Sequence, residues 1–238
     1  MTSPSRPTNL VWDDATLSHF WAYHSQFTES YFSHQKGRSL AAYAKRLLPI
    51  GATVLDYGCG PGHLLPHLLD AGFEVQGADI TPDTIGSAVT IKDRKRFLGF
   101  ATIDELLAED RKFDAVFLIE VVEHLDDCWL AKTLDQVHAL LKKGGILIVT
   151  TPNEENLEEN MVYCPVSNTI LHRWQHVRSW SQGTLRAALA AHAFRDIRTE
   201  TRTFDGDKPD GMSLLRYFAS KILIRLRKPQ SLIAVARA

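Results

Sequence analysis

The run Thr53-Val54-Leu55-Asp56-Tyr57-Gly58-Cys59-Gly60-Pro61-Gly62 admits few local structures. Three β-prone or apolar residues lead into an acid, and glycine then takes every second position. Leu64, Leu65, Leu68 and Leu69 follow at the spacing of one helix face. The run therefore predicts a strand, a tight loop and a helix. Glycines let backbone N–H groups approach a ligand, and a helix N-terminus adds partial positive charge. Gly58, Cys59, Gly60 and Gly62 are thus expected at a nucleotide-type cofactor site, at the carboxyl end of a first parallel strand.

Strands and helices alternate along the rest of the chain. Strands are expected at 53–57, 73–79, 96–100, 113–119, 146–150, 194–203 and 231–238. Helices are expected at 39–48, 63–71, 104–109, 128–141 and 182–192, with a weaker one from Pro82 to about Ile91. Lys142, Lys143, Gly144 and Gly145 read as the C-cap of the helix over 128–141. The stretch 113–119 is apolar throughout, as a strand buried on both faces must be. This rhythm predicts an α/β fold with a doubly wound sheet.

The domain organisation follows from what falls outside that rhythm. Residues 1–9 are polar with two prolines and read as a flexible tail without the apolar core of a signal peptide. Residues 10–238 read as one domain. Within it, 10–50 form a helical N-terminal cap, and seven of the 22 aromatic residues crowd between Trp12 and Phe32, so this cap is either plain packing or a lid over a substrate pocket. Residues 152–180 and 205–229 are long irregular connections, and loops of that length in a compact domain are usually functional. The second contains Lys221-Ile222-Leu223-Ile224-Arg225-Leu226-Arg227-Lys228. One reading is a helix packed by its apolar face; the other is contact with a membrane or a lipid-linked acceptor.

Composition narrows the partners. A formal net charge of −1 gives no electrostatic case for nucleic acid. Cys59, Cys128 and Cys164 are odd in number and lack zinc-type spacing. With no apolar run of transmembrane length, a reducing, cytoplasmic setting is the default expectation.

Two acids decide between cofactors. Asp56 precedes the glycines, and Asp79 ends the second strand, 21 residues after Gly58. Asp79 is placed to accept ribose hydroxyls, and Ile80 to lie against an adenine. A pyrophosphate would be repelled by Asp56, whereas a cofactor carrying an ammonium and a sulfonium would be favoured. This points to S-adenosylmethionine rather than NAD.

The segments 54–62, Asp79, Phe113-Asp114-Ala115-Val116 and 141–153 together resemble the ordered motifs of class I S-adenosylmethionine-dependent methyltransferases. That resemblance implies a Rossmann-like seven-stranded sheet with an antiparallel last strand and S-adenosylhomocysteine as product. Many members carry an acid after the third strand that meets the adenine. Here Thr102 or Ile103 stands in that place, with Asp104 slightly later.

Methyl transfer needs an acceptor held in line with the methyl carbon, and a hydroxyl acceptor gains from a general base. The fourth strand ends in Ile119-Glu120-Val121-Val122-Glu123-His124, beside the expected cofactor site. Glu120 is expected to border the cofactor's methionine end and, with His124, to act in the chemistry. His124 has a plainer alternative, organising the loop that enters the next helix. The segment His176-Val177-Arg178-Ser179-Trp180-Ser181, with Thr184-Leu185-Arg186 and Phe194, resembles one in ubiquinone-biosynthesis-type O-methyltransferases. That resemblance makes His176 a catalytic or substrate-contacting candidate; its plainer alternative is a surface histidine bonded to backbone.

Glu120, Glu123, His124 and His176 also resemble the metal-binding set of small-RNA 2′-O-methyltransferases, which leaves a metal-dependent RNA enzyme as an alternative. A protein that keeps the cofactor site without catalysis is the third. The leading expectation is methyl transfer to a hydroxyl of a small or lipid-like metabolite, with no resident metal.

Overall fold

The structure, a computed structural model, describes residues 6–79, 90–204, 213 and 230–238. Ile80, the helix expected from Pro82, and the basic stretch from Lys221 to Lys228 lie outside the described residues. In chain order the strands are β1 (Thr8–Asn9), β2 (Thr53–Tyr57), β3 (Glu74–Asp79), β4 (Phe97–Thr102), β5 (Phe113–Ile119), β6 (Leu141–Pro152), β7 (Met161–Cys164), β8 (Thr169–His172), β9 (Arg195–Arg202) and β10 (Ser231–Arg237). The helices are α1 (Asp14–His24), α2 (Phe32–Ala44), α3 (Leu65–Asp70), α4 (Ile103–Ala108), α5 (Asp127–Leu140) and α6 (Gln182–Ala191).

Seven strands form one sheet in the order β4-β3-β2-β5-β6-β10-β9. Strands β2 to β6 pair in parallel, and β10 runs antiparallel to both neighbours, β6 and β9. This is the expected doubly wound α/β sheet with an antiparallel last strand. Alternation along β5 builds the two faces, because successive side chains in a strand point to opposite sides. Val116 and Leu118 join Leu130, Leu134 and Val137 of α5 and Leu185 and Leu189 of α6. Ala115, Phe117 and Ile119 join Leu40 and Ala44 of α2 and Leu65, Leu68 and Leu69 of α3.

Four local expectations are corrected. Helix α2 starts at Phe32 rather than 39, and it belongs to the core: Gly37 lies so close to α3 that a Cβ there would stand 2.3 Å from His67 Cδ2. Helix α5 does not end on its glycines. Its last residue is followed by Leu141 in extended conformation, which already pairs with Phe113. The glycines instead serve a shift of register between β5 and β6, with Gly144 at φ +74°. Lys142 reaches back to Asp114 at 2.8 Å, and the other Asp114 oxygen accepts the Thr53 N–H.

Third, the connection over 152–180 is not irregular. Strands β7 and β8 form an antiparallel hairpin, and β1 adds to β8 in parallel. The turn between them carries Asn168 at φ +52°, whose Oδ1 accepts the Tyr163 hydroxyl. Fourth, Thr8 and Asn9 are therefore strand residues rather than loose tail. The excursion is pinned at its base, where the Glu154 N–H donates to Trp180 O and the Asn153 N–H to Gln230 O. Among the described residues, no helix is long and apolar enough to cross a membrane.

Phe117 is 0% exposed and sits where α2 and α3 meet the sheet. A Phe117→Ala protein should lose about 3–5 kcal/mol of stability. Urea unfolding measures it, as a lower midpoint with an unchanged slope.

Candidate active site

Strand β2 runs out at Tyr57, and the chain then turns through Gly58 at φ +75°, Gly60 at +46° and Gly62 at +89°. These are left-handed conformations that L side chains rarely adopt. Gly58 has a second constraint: a Cβ there would stand 3.0 Å from Val121 Cγ2, on the segment that follows β5.

The loop does not hold its amides out to a ligand, contrary to the simplest expectation. The Gly58 and Cys59 N–H groups donate to Ala78 O at 2.8 and 3.0 Å. The Gly60 N–H donates to Asp79 Oδ2 at 2.8 Å, and the Gly62 N–H to Cys59 O at 2.8 Å. Beyond the loop lies a cavity of about 550 Å³ whose wall includes Gly58, Cys59, Gly60, Asp79, Glu120 and His124. Its carboxylates are Asp14, Asp79, Glu120 and Asp126, and among the described residues no Lys or Arg lines it. A cleft with acids and already-bonded amides suits a cationic ligand and disfavours a pyrophosphate.

The remaining expected cofactor residues are not on that wall. Asp56 lies beneath the loop at 3% exposure, where burial and the charge of Asp79 push its carboxyl up to about 8. Gly62 only closes the turn. Thr102 caps α4: its Oγ1 accepts the Glu105 N–H, while the Glu105 carboxylate accepts the Thr102 N–H at 2.7 Å. Ile103 is buried in the core.

The expected chemical residues do converge. Glu120 sits at φ +54°, and its N–H donates to Thr150 O. Such strain in a non-glycine residue at the end of a strand is common at functional sites. Glu120 Oε1 is buried without a hydrogen-bond partner. Glu123 is 1% exposed; its Oε2 accepts the Thr151 hydroxyl, and its Oε1 also lacks a partner. Burial raises both carboxyls, and for Glu123 the charge of Glu120 adds to it. The two titrate as a pair.

His124 stands against the Trp21 ring at 5.0 Å and the His176 ring at 4.8 Å. Burial and then the neighbouring His176 push its pKa down to about 3, so the imidazole is neutral. His176 is no surface histidine. Its Nδ1 lies 2.5 Å from Glu155 Oε2, with 10% of its side chain exposed. A second cavity, of about 220 Å³, is walled by Phe20, Trp21, Trp174, Glu123 and His176. Trp21, Tyr31, Glu120 and His124 line both cavities, so they form the partition between them. Helix α1, which buries none of its own residues fully, thus supplies aromatic wall to both cavities.

Metal-ligating atoms of Glu123, His124 and His176 lie within 4.8 Å of one another, as do those of Glu155, His172 and His176. His172 is a poor ligand, because its Nδ1 accepts the N–H groups of Trp174 and His176, which places its proton on Nε2. The first trio is the better candidate for a divalent ion. Glu155, Trp21 and Tyr31 were not singled out from sequence. The aromatics belonged to a visible local excess, whereas Glu155 is one acid in an Asn-Glu-Glu-Asn run.

The buried Asp56 has a thermodynamic consequence. Its carboxyl ordinarily titrates near 3.8, but the folded protein keeps the proton to about pH 8. The folded state binds more protons in that window, so stability falls as pH rises through it. Asp56→Asn should flatten the loss of stability between pH 5 and 8, measured by urea unfolding at both ends; an unchanged slope would contradict the assignment.

Comparison with known proteins fits this geometry. A family model described as a methyltransferase domain matches residues 31–199. The chain is 38% identical over 107 residues to the ubiquinone biosynthesis O-methyltransferase of Caulobacter vibrioides, covering 43% of this chain and 42% of that protein. It is 35% identical over 136 residues to the 2-methyl-6-phytyl-1,4-hydroquinone methyltransferase of a Synechocystis species, covering 54% and 42%. The matches thus span less than half the length of either relative. Among solved structures, the 1,6-didemethyltoxoflavin-N1-methyltransferase of Burkholderia thailandensis, with bound S-adenosylhomocysteine, superposes with a TM-score of 0.65 at 18% identity, covering 97% of this chain and 93% of that one. A methyltransferase from Haloferax volcanii, solved with the Trm112 activator, gives 0.63 at 22% identity, covering 96% and 99%. With the family model across most of the chain and the doubly wound sheet carrying a cation-suited cleft at its carboxyl edge, the chain belongs to the methyltransferase-domain family and has the fold of class I S-adenosylmethionine-dependent methyltransferases.

Proposed function

We propose that the protein methylates a hydroxyl of a small or lipid-like metabolite. The observation that carries this is the junction of the two cavities: an aromatic-walled chamber meets the cofactor cleft at Glu120 and His124, with the His176 imidazole on its wall. Bound S-adenosylmethionine supplies a methyl carbon already activated by positive sulfur. The four carboxylates of the larger cavity suit its positive charges, with Asp79 from the end of β3 and Glu120 from the end of β5. Phe20, Trp21 and Trp174 offer flat apolar faces to an acceptor ring and keep water out. His176 receives the hydroxyl proton: its Nδ1–H is held by Glu155, which leaves Nε2 as the acceptor. His124, neutral and in edge contact with His176, orients that ring.

The names of two relatives, one acting in ubiquinone biosynthesis and one on a phytyl hydroquinone, support a phenolic, lipid-like acceptor. A second possibility has its own observation. Glu123, His124 and His176 converge closely enough to hold a divalent ion, which would polarise a ribose hydroxyl in place of a protein base. The net charge of −1 weighs against an RNA acceptor.

The test is radiometric methyl transfer to catechol and to a short-chain hydroquinone. His176→Ala should lower kcat by about 10²–10⁴-fold with cofactor affinity unchanged. Full activity in that variant would remove the base. Activity lost on chelation and restored by Mg²⁺ or Mn²⁺ would favour the metal instead.

A further inference from the structure

We propose that Glu155 is a positioning residue for His176, its carboxylate holding the imidazole in the tautomer whose Nε2 faces the acceptor chamber. This rests on His176 as the base proposed above.

The chain brings the two residues together by folding the hairpin. Pairing of Met161 with His172 returns the chain to the start of its excursion, so Glu155 and His176 meet across its base. Glu155 is then held from several sides. Its Oε2 takes the His176 Nδ1–H at 2.5 Å, and its Oε1 takes the Asn160 Nδ2–H at 3.0 Å. His172 Nε2 faces the same Oε1 at 3.6 Å, just beyond hydrogen-bond length. The proton of His172 must point that way, because its Nδ1 accepts two backbone N–H groups. The His172 and His176 rings stack at 4.7 Å with 22° between planes.

This is more than a surface ion pair. The Glu155 side chain is 14% exposed and that of His172 is 3%. Burial raises the Glu155 carboxyl, but the hydrogen bonds that it accepts from His176 and Asn160 act the other way and its pKa is lowered overall, so the group stays ionised. An ionised carboxylate only accepts hydrogen bonds, so it fixes the proton of His176 on Nδ1. It also sits where positive charge would develop when Nε2 takes a proton, as the acid does in carboxylate–histidine catalytic pairs. The His176 ring also meets His124 at 4.8 Å, and both line the chamber together with Glu120 and Glu123. The hairpin therefore builds the rigid pocket that sets the ring.

The experiment uses the full chain with ¹⁵N in its histidine rings, saturated with S-adenosylhomocysteine, and His176 assigned by its loss in His176→Gln. Wild type should show His176 protonated at Nδ1 and bare at Nε2. Glu155→Ala should lose that tautomer, and Glu155→Asp should restore it in part. Transfer to catechol should fall about 10–100-fold in kcat in Glu155→Ala with cofactor Kd unchanged. In a His176→Ala background, Glu155→Ala should cost nothing further. Thermal melting of Glu155→Gln, which keeps the shape, guards against simple unfolding. A Glu155→Ala protein that keeps the Nδ1–H tautomer overturns the positioning. A tautomer that responds while His176→Ala transfers at full rate overturns the base instead and leaves Glu155 without a part in transfer.

Discussion

The hydrogen bonds from the Gly58, Cys59 and Gly60 amides to the end of β3 are the constraint on which the site depends. They close the glycine loop onto Ala78 and Asp79. A loop tied in this way has few donors left for phosphate, and the charge character of the cleft passes to its acids. The same loop fixes the other half of the site. Gly58 has no side chain where Val121 packs, so the turn after β5 comes close, and Glu120 enters the cleft from a left-handed backbone.

Electrostatics follow from that closeness. Asp56, Glu120 and Glu123 are carboxyls in buried surroundings, and each is pushed toward its neutral form. Burying a charge without a partner is unfavourable, so such groups are destabilising unless a ligand compensates them. Of the three, only Glu120 lines the larger cavity, where with Asp14, Asp79 and Asp126 it suits a ligand carrying positive charge. Next to this acidic side stand the imidazoles of His124, held neutral, and His176, in edge contact at 4.8 Å. The site thus joins a cleft lined by four carboxylates to an aromatic chamber that carries His176, and the proposed hydroxyl acceptor would occupy the second.

Much of the sheet was legible because its signals are local. The run over 113–119 is β5, and the order of strands and helices specified a doubly wound fold. The misread places are those where tertiary contacts overrule a local signal. Lys142, Lys143, Gly144 and Gly145 look like a helix cap, yet pairing of Leu141 with Phe113 draws them into β6. The hairpin of β7 and β8 hid in a polar segment because its strands are only four residues long and three β7 residues are exposed. At the site, Glu120, His124 and His176 were readable from spacing and resemblance. Glu155 was not, since nothing local separates it from Glu154 or Glu158; only the closing of the hairpin brings it to His176. Thr102 shows the converse: a residue in the right place along the chain, with its side chain already engaged in capping α4.

The central claim is that a loop with its amides turned inward and a cleft lined by acids select a cationic cofactor. Calorimetric titration of one protein preparation with S-adenosylmethionine and with NADH tests it most directly. Saturable binding of S-adenosylmethionine with no binding heat from NADH is the predicted result. Comparable binding of NADH would show that the cleft accepts a pyrophosphate, and would contradict the account.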